Sequence, residues 1–188
     1  MRPQDYPAST IYCVWLNAVS SPSSLWSILY LRNIGRRSMG GLAEKLEVEA
    51  EIKSPADKFY NIFRRQMHHL PNCSARVHNI NLHQGGWETE GSIKQWTYVA
   101  DGKVETAKEK VVVDEKNRMV TLVVVEGDPL KYYKAYSVIL KVIPKGEGGI
   151  AKWTLEYEKL NEDAPDPHAY LDLALNITRD LDASLLTA

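Results

Sequence analysis

The chain has 188 residues and a formal net charge of −1. That length suits one domain with a real core and no disulfide staples, and the near-neutral charge excludes a global field that recruits nucleic acid or an anionic membrane. The two cysteines, Cys13 and Cys73, supply neither a disulfide framework nor zinc spacing, so a reducing, cytoplasmic setting is the default expectation.

Residues 1–38 differ from everything after them. They contain no Lys, no Glu and a single Asp, but seven Ser and the basic residues Arg2, Arg32, Arg36 and Arg37. Thr10 to Val19 is apolar enough for a signal-peptide core, although the flanking segment is nearly uncharged and carries Asp5 and prolines. A Ser-rich, acid-poor leader also fits an organelle transit peptide loosely. The favoured reading is an untypical extension outside the fold, with the domain running over residues 39–188. No run reaches the roughly 18 to 20 apolar residues of a membrane span.

From Leu46 to Ile52 apolar residues and glutamates alternate strictly, which predicts a half-buried strand. Ser54, Pro55 and Asp57 then read as an N-cap, a proline at the first helical position and an acidic first turn, opening a short helix through about Arg64. Pro71 and Asn72 interrupt the helical character of 66–70, so two short helices are expected. The adjacent His68 and His69 are expected to point apart, and with no Cys or carboxylate cluster beside them no metal site is predicted.

Gly85 to Tyr98 is a glycine-rich loop running into an alternating segment. A phosphate cradle needs converging backbone N–H groups, usually a Lys and a Ser or Thr after the last glycine, and a helix behind. Here Gly91 precedes Ser92 directly, Glu88 and Glu90 would repel an anion, and a strand follows. A tight turn between strands is the favoured reading.

Further strands are placed near 77–84, 92–99, 105–114, 119–126, 132–143 and 150–160. Short turn-rich links between them, including Asp101-Gly102 and Gly127-Asp128-Pro129, imply an antiparallel meander. Asp166-Pro167 reads as an N-cap and proline opening a long helix to Leu186. Its stripe is Leu171, Ala174, Leu175, Thr178, Leu181 and Leu185, with Asp172, Arg179, Asp180 and Asp182 as polar positions. Seven strands, two short helices and a long terminal helix make an α+β fold with a helix on a strongly bent antiparallel sheet.

Strand parity proposes a lining for the space between sheet and helix. Lys94, Trp96 and Tyr98 share one face; Trp153, Leu155 and Tyr157 share another. The exposed-looking Lys141 turns Tyr136, Val138, Leu140 and Val142 inward. Val120, Leu122 and Val124 form the third set, although Val123 and Val125 leave that parity ambiguous. Leu171, Leu175 and Thr178 complete it from the helix. Ordinary core packing is the competing reading for any one aliphatic residue. Lys94 is less ordinary: either its ammonium reaches water at a rim, or it fixes a polar ligand group with the hydroxyls of Tyr98 or Tyr136.

Met39 to Leu186 resembles the major latex protein family, a plant branch of the major birch-pollen-allergen superfamily. The likeness is dense in Gly85 to Tyr98, Asp101-Gly102-Lys103 and Glu126-Gly127-Asp128, and densest in residues 142–149 and 152–163. It continues through Pro165-Asp-Pro-His and Asn176-Ile-Thr-Arg-Asp. It implies a START-like helix-grip fold: a seven-stranded sheet gripping the C-terminal helix, two short helices closing one end and an internal hydrophobic cavity. It also implies a cavity-facing lysine at Lys94.

The function implied is non-enzymatic binding or transport of sterols, fatty acids or phenolic metabolites, associated with plant defence and stress. No cofactor or nucleic acid is expected as a partner, and no membrane insertion; a monomer or weak dimer is expected. Burying about 300 Å² of apolar ligand at roughly 25 cal/mol/Å² yields about 7 kcal/mol before ordering costs, which points to micromolar affinities or weaker. The alternative is an enzyme on the same scaffold, condensing an amine with an aldehyde through a lysine whose charge is suppressed, with Lys94 and Tyr98 as the seed. A hormone receptor of the superfamily is disfavoured, because its Ser-Gly-Leu-Pro gate and His-Arg-Leu latch are replaced by Ala100-Asp-Gly-Lys and Gly127-Asp-Pro-Leu. Pairs of inward carboxylates for acid–base work are not evident, since most strand glutamates fall on outer parity.

Overall fold

The structure, a computed structural model, describes residues 32–38 and 42–187. The elements are strands β1 (Arg32–Ser38) and β2 (Ala43–Ile52), helix α1 (Ala56–Arg65), a 3₁₀ turn (Met67–His69) and helix α2 (Leu70–Cys73). Strands β3 (Val77–Gln84), β4 (Ile93–Ala100), β5 (Lys103–Asp114) and β6 (Met119–Gly127) follow. A 3₁₀ turn (Asp128–Lys131), strands β7 (Tyr133–Lys145) and β8 (Gly148–Lys159), and helix α3 (His168–Thr187) complete the chain.

One antiparallel sheet runs in the order β1-β2-β8-β7-β6-β5-β4-β3. The seven expected strands are β2 to β8. β1 is an eighth, lying on the leader side of the expected boundary at residue 38, and its backbone pairs with β2 from Arg32↔Glu49 to Ser38↔Glu44. Its physical basis is the outer edge of β2, whose backbone groups face a strand that can satisfy them. The other readings of the leader fall on residues 1–31, outside the described residues.

Alternation builds the inner face. β2 buries Leu46, Val48, Ala50 and Ile52, and β4 buries Lys94, Trp96, Tyr98 and Ala100. β6 resolves its ambiguous parity by burying Val120, Leu122 and Val124 while Val125 is exposed. On β7 an irregularity between Tyr133 and Ala135 turns Tyr133 inward together with Tyr136, Leu140 and Val142. Where β6 leaves β5, Gly127 has φ 128° and a Cβ there would lie 2.3 Å from the Thr106 carbonyl oxygen. Only glycine admits that approach.

Three local expectations change. Pro55, not Ser54, occupies the cap position of α1, with ψ 126° and no side-chain cap, and Ser54 Oγ is buried without a hydrogen-bond partner. Pro71 sits in the first turn of α2 rather than interrupting a helix, a position where its missing N–H removes no bond. α3 begins at His168, after Pro167, and the Asp166 carboxylate forms an ion pair with Lys159 at 2.8 Å.

α3 lies across the inner face and buries Leu171, Ala174, Ile177, Thr178, Leu181 and Asp182. The buried stripe is therefore rotated toward Ile177, leaving Leu175 half-buried. Asp182, read from the sequence as one of the polar positions around the stripe, is buried and accepts hydrogen bonds from the backbone N–H of Lys53 at 3.0 Å and of Ser54 at 2.8 Å. The helix end is thereby fastened to the corner between β2 and α1.

Candidate functional site

Between the sheet and α3 lies a cavity in which about 60 Å³ is open to the centre of a water molecule. The sheet contributes Trp96 and Tyr98 from β4, Glu109 from β5, Leu122 from β6, Tyr136 and Val138 from β7, and Trp153 from β8. Helix α1 contributes Phe63; α3 contributes Tyr170, Leu173, Ala174 and Ile177. Each strand residue reaches the cavity through inward parity. The helix residues reach it because 170, 173, 174 and 177 follow the three-and-four spacing of one helical face.

Six of the twelve lining residues are aromatic. Phe63 meets Trp153 edge-on at 5.4 Å, Tyr136 stands 5.3 Å from Tyr170, and Tyr98 stands 6.3 Å from Tyr170. Hydrogen bonds fix two of these rings. Trp153 Nε1 donates to Thr178 Oγ1 at 2.8 Å, and Tyr170 Oη donates to Glu105 Oε2 at 2.7 Å. Three polar atoms of lining residues have no hydrogen-bond partner: Trp96 Nε1, Glu109 Oε2 and Tyr136 Oη. Burial pushes the Glu109 carboxyl up to about 8 and raises the Tyr136 and Tyr98 hydroxyls well above the ordinary tyrosine value.

Of the residues proposed from the sequence, Trp96, Tyr98, Leu122, Tyr136, Val138 and Trp153 come together at this cavity. Val120, Val124, Leu140, Leu155 and Leu171 are buried in the surrounding core without lining it. Leu175 is half-buried on α3, and Thr178 stands behind Trp153 as its hydrogen-bond partner. Phe63, Glu109, Tyr170, Leu173, Ala174 and Ile177 are lining residues absent from that set. Glu109 was legible from the spacing Ala107, Glu109, Val111, all three of which are buried. It is the exception to the outer parity expected of most strand glutamates.

Lys94 occupies a compartment of its own. It is 1 % exposed, so the rim reading does not hold, and it is not a lining residue of the cavity. Its Nζ donates to Ser92 Oγ at 2.7 Å and lies 5.7 Å from the ring of Trp87. Burial, and secondarily the Arg64 guanidinium, lower its ammonium to about 8. The glycine-rich loop forms the roof of this compartment. Arg65 pairs with the Glu88 carboxylate at 2.8 Å, Arg64 donates to the Glu88 carbonyl at 2.9 Å, and His68 packs on Trp87 at 4.7 Å. The loop uses its own N–H groups: Gly91 donates to the Val111 carbonyl at 2.8 Å and Ser92 to that of Thr89 at 3.2 Å. They do not converge on an anion.

The His68 and His69 rings do not point apart but sit 4.1 Å from each other within the 3₁₀ turn. Among the described residues no group of three or more His, Cys, Asp or Glu could hold a metal ion. No helix among them is long and apolar enough to cross a membrane.

A curved antiparallel sheet closed by a long C-terminal helix, with two short helices at one end and a cavity between, defines a START-like helix-grip protein. Residues 41–188 match the Pathogenesis-related protein Bet v 1 family, and the chain belongs to that family. MLP-like protein 43 of Arabidopsis thaliana is 41% identical over 149 residues, covering 77% of this chain and 94% of the relative. MLP-like protein 34 of the same plant is 39% identical over 147 residues, covering 76% of this chain but 46% of the relative, so the match spans about half of that longer protein. The crystal structure of ginseng major latex-like protein 151 from Panax ginseng superposes with a TM-score of 0.75 at 39% identity. It covers 78% of this chain and 99% of the ginseng chain.

Proposed function

We propose that the protein binds and carries small hydrophobic ligands in its internal cavity without transforming them, with residues 39–188 as the binding unit. The observation that carries this reading is the set of six aromatic side chains, Phe63, Trp96, Tyr98, Tyr136, Trp153 and Tyr170, enclosing a space between sheet and helix. An apolar concave site with a few inward polar groups is the ordinary form of a small-molecule pocket.

The size of the cavity narrows the ligand class. About 10–15 Å³ of such volume houses one water, whose share of liquid is about 30 Å³, so the cavity matches a molecule of one or two rings. Phenolic metabolites fit that space as it stands. Sterols and long-chain fatty acids, the other classes expected from the resemblance, need the α3 wall to move outward. A part in plant defence or stress responses and a cytoplasmic location belong to the proposal on the same resemblance.

The competing condensing enzyme requires a lysine amine at the ligand. Lys94 Nζ is instead turned to Ser92 Oγ beneath Trp87, which favours the carrier reading. Displacement of an environment-sensitive fluorescent probe tests it: two-ring phenolics displace the probe at micromolar concentration. A protein that gives no probe enhancement, and binds no two-ring ligand by calorimetry, is not a carrier of this kind.

A further inference from the structure

Among the described residues, four buried side-chain atoms lack a hydrogen-bond partner, and three of them belong to residues lining the same cavity. Each unpaired buried polar group is costly, and native interiors hold few of them. Trp96 and Glu109 are diagonal neighbours on adjacent strands, since Trp96 pairs with Ala107 and Lys94 with Glu109. Tyr136 faces the same space from β7. Three unpaired groups gathered in an apolar chamber mark the place where a ligand's polar atoms belong.

Their chemistry is that of donors. The indole N–H only donates, the phenol O–H donates or accepts, and a protonated carboxyl donates through its O–H. Glu109 keeps its proton at neutral pH because burial holds it up to about 8. The groups facing it are Lys94 and Tyr98 from β4, Tyr136 from β7 and Tyr170 from α3; β6 and α1 present Leu122 and Phe63. Lys94 is engaged with Ser92, and none of the lining side chains is basic. A carboxylate ligand would therefore be buried beside another carboxyl with no countercharge among the lining side chains.

We propose that Trp96, Glu109 and Tyr136 form a hydrogen-bonding centre that selects uncharged lipophiles bearing a carbonyl or hydroxyl oxygen and rejects the corresponding carboxylates. The inference rests on the cavity being the ligand site and assigns that site its chemical class.

Titration calorimetry on the full chain with one ring skeleton carrying different heads is the test. The ligands are naphthalene, 2-acetonaphthone, 2-naphthoate and 2-naphthylmethylammonium, at pH 6.5 and 9.5, against wild type, Glu109→Gln and Trp96→Phe. At pH 6.5 the ketone binds at least tenfold tighter than naphthalene and than 2-naphthoate. At pH 9.5 wild type loses several-fold in ketone affinity as Glu109 ionises, whereas Glu109→Gln, which keeps a donor at both pH values, does not. Trp96→Phe retains naphthalene affinity and loses most of the ketone preference.

Naphthalene binding as tightly as the ketone, or 2-naphthoate matching it, overturns the proposal while leaving the carrier reading intact. A preference for the ammonium ligand overturns it in favour of a cation site. If no member of the series binds, the carrier reading and the proposal fall together.

Discussion

Lys94 and Glu109 stand directly opposite each other on β4 and β5, both buried on the inner face, yet they form no ion pair. Lys94 Nζ turns to Ser92 Oγ at 2.7 Å under Trp87, while Glu109 Oε2 has no hydrogen-bond partner and its side chain lines the cavity. Each group bears its own desolvation, and burial drives both toward their neutral forms, with values of about 8. Had they paired, each would have stabilised the other's charge and the cavity would hold an internal salt. Kept apart, they divide the inner face into an amine compartment beneath the glycine-rich loop and an acid-bearing aromatic cavity.

The first prediction concerns stability against pH. The Glu109 carboxyl rises from its ordinary 4.5 to about 8 on folding, so between those values the folded state holds a proton that the unfolded chain has released. Stability contributed at this site therefore falls as pH rises from about 4.5 to about 8 and is level above, by at most about 1.4 kcal/mol per pH unit. Urea denaturation of wild type and Glu109→Gln from pH 4.5 to 9 checks it. The variant gains on wild type progressively across the window; parallel curves would show that Glu109 ionises normally.

Lys94 makes a second prediction, with a spectroscopic readout. Burial lowers its ammonium to about 8, with Arg64 adding repulsion, and Trp87 is part of what buries it. With lysines ¹³C-labelled at Cε, one resonance in wild type titrates near pH 8 and disappears in Lys94→Met. In Trp87→Ala that resonance moves back toward the ordinary lysine range. A Lys94 signal indifferent to Trp87 would show that the indole does not shield the ammonium.

The strand faces were legible because alternation over β2, β4 and β8 has one apolar solution. The Lys94-Trp96-Tyr98 face in particular follows from parity alone. Three features were not read from the sequence, each for a separate reason. Tyr133 faces inward because of an irregularity in pairing with β8, which no local periodicity announces. Glu109 breaks the usual rule that strand carboxylates face water, so its parity could be read only by anchoring on Ala107 and Val111. Tyr170 and Ile177 lie off the expected stripe because the cavity meets α3 on the side that carries them, leaving Leu175 half-buried. Sequence spacing sets which helix residues share a face, but tertiary packing sets which face is turned inward.

Thr178 tests whether the cavity wall is held by its hydrogen bonds. Its Oγ1 accepts from Trp153 Nε1 at 2.8 Å and donates to the Ala174 carbonyl at 2.8 Å. Thr178→Val conserves shape and leaves the indole N–H unpaired. The expected loss is about 1–3 kcal/mol, read as a lowered denaturation midpoint with an unchanged denaturant slope. A loss within about 0.5 kcal/mol, the size of an ordinary surface substitution, would mean that packing alone positions Trp153.

Asp182 carries the last prediction, because its carboxylate joins the end of α3 to the corner between β2 and α1. Oδ1 accepts from the Lys53 N–H at 3.0 Å and the Ser54 N–H at 2.8 Å, and Oδ2 lies 3.1 Å from the Lys53 nitrogen. Asp182→Ala strands two backbone donors, each costing about 1–3 kcal/mol, so a loss of about 2–6 kcal/mol is expected. Asp182→Asn retains one acceptor oxygen and loses less. Amide hydrogen exchange separates a latch from a merely buried acid. In the alanine variant protection falls first at Lys53, Ser54 and the last turns of α3, while the β5–β6 pair keeps its protection. Uniform loss across the sheet would make Asp182 a contributor to global stability instead, and the helix would then need some other fastening to keep the cavity closed.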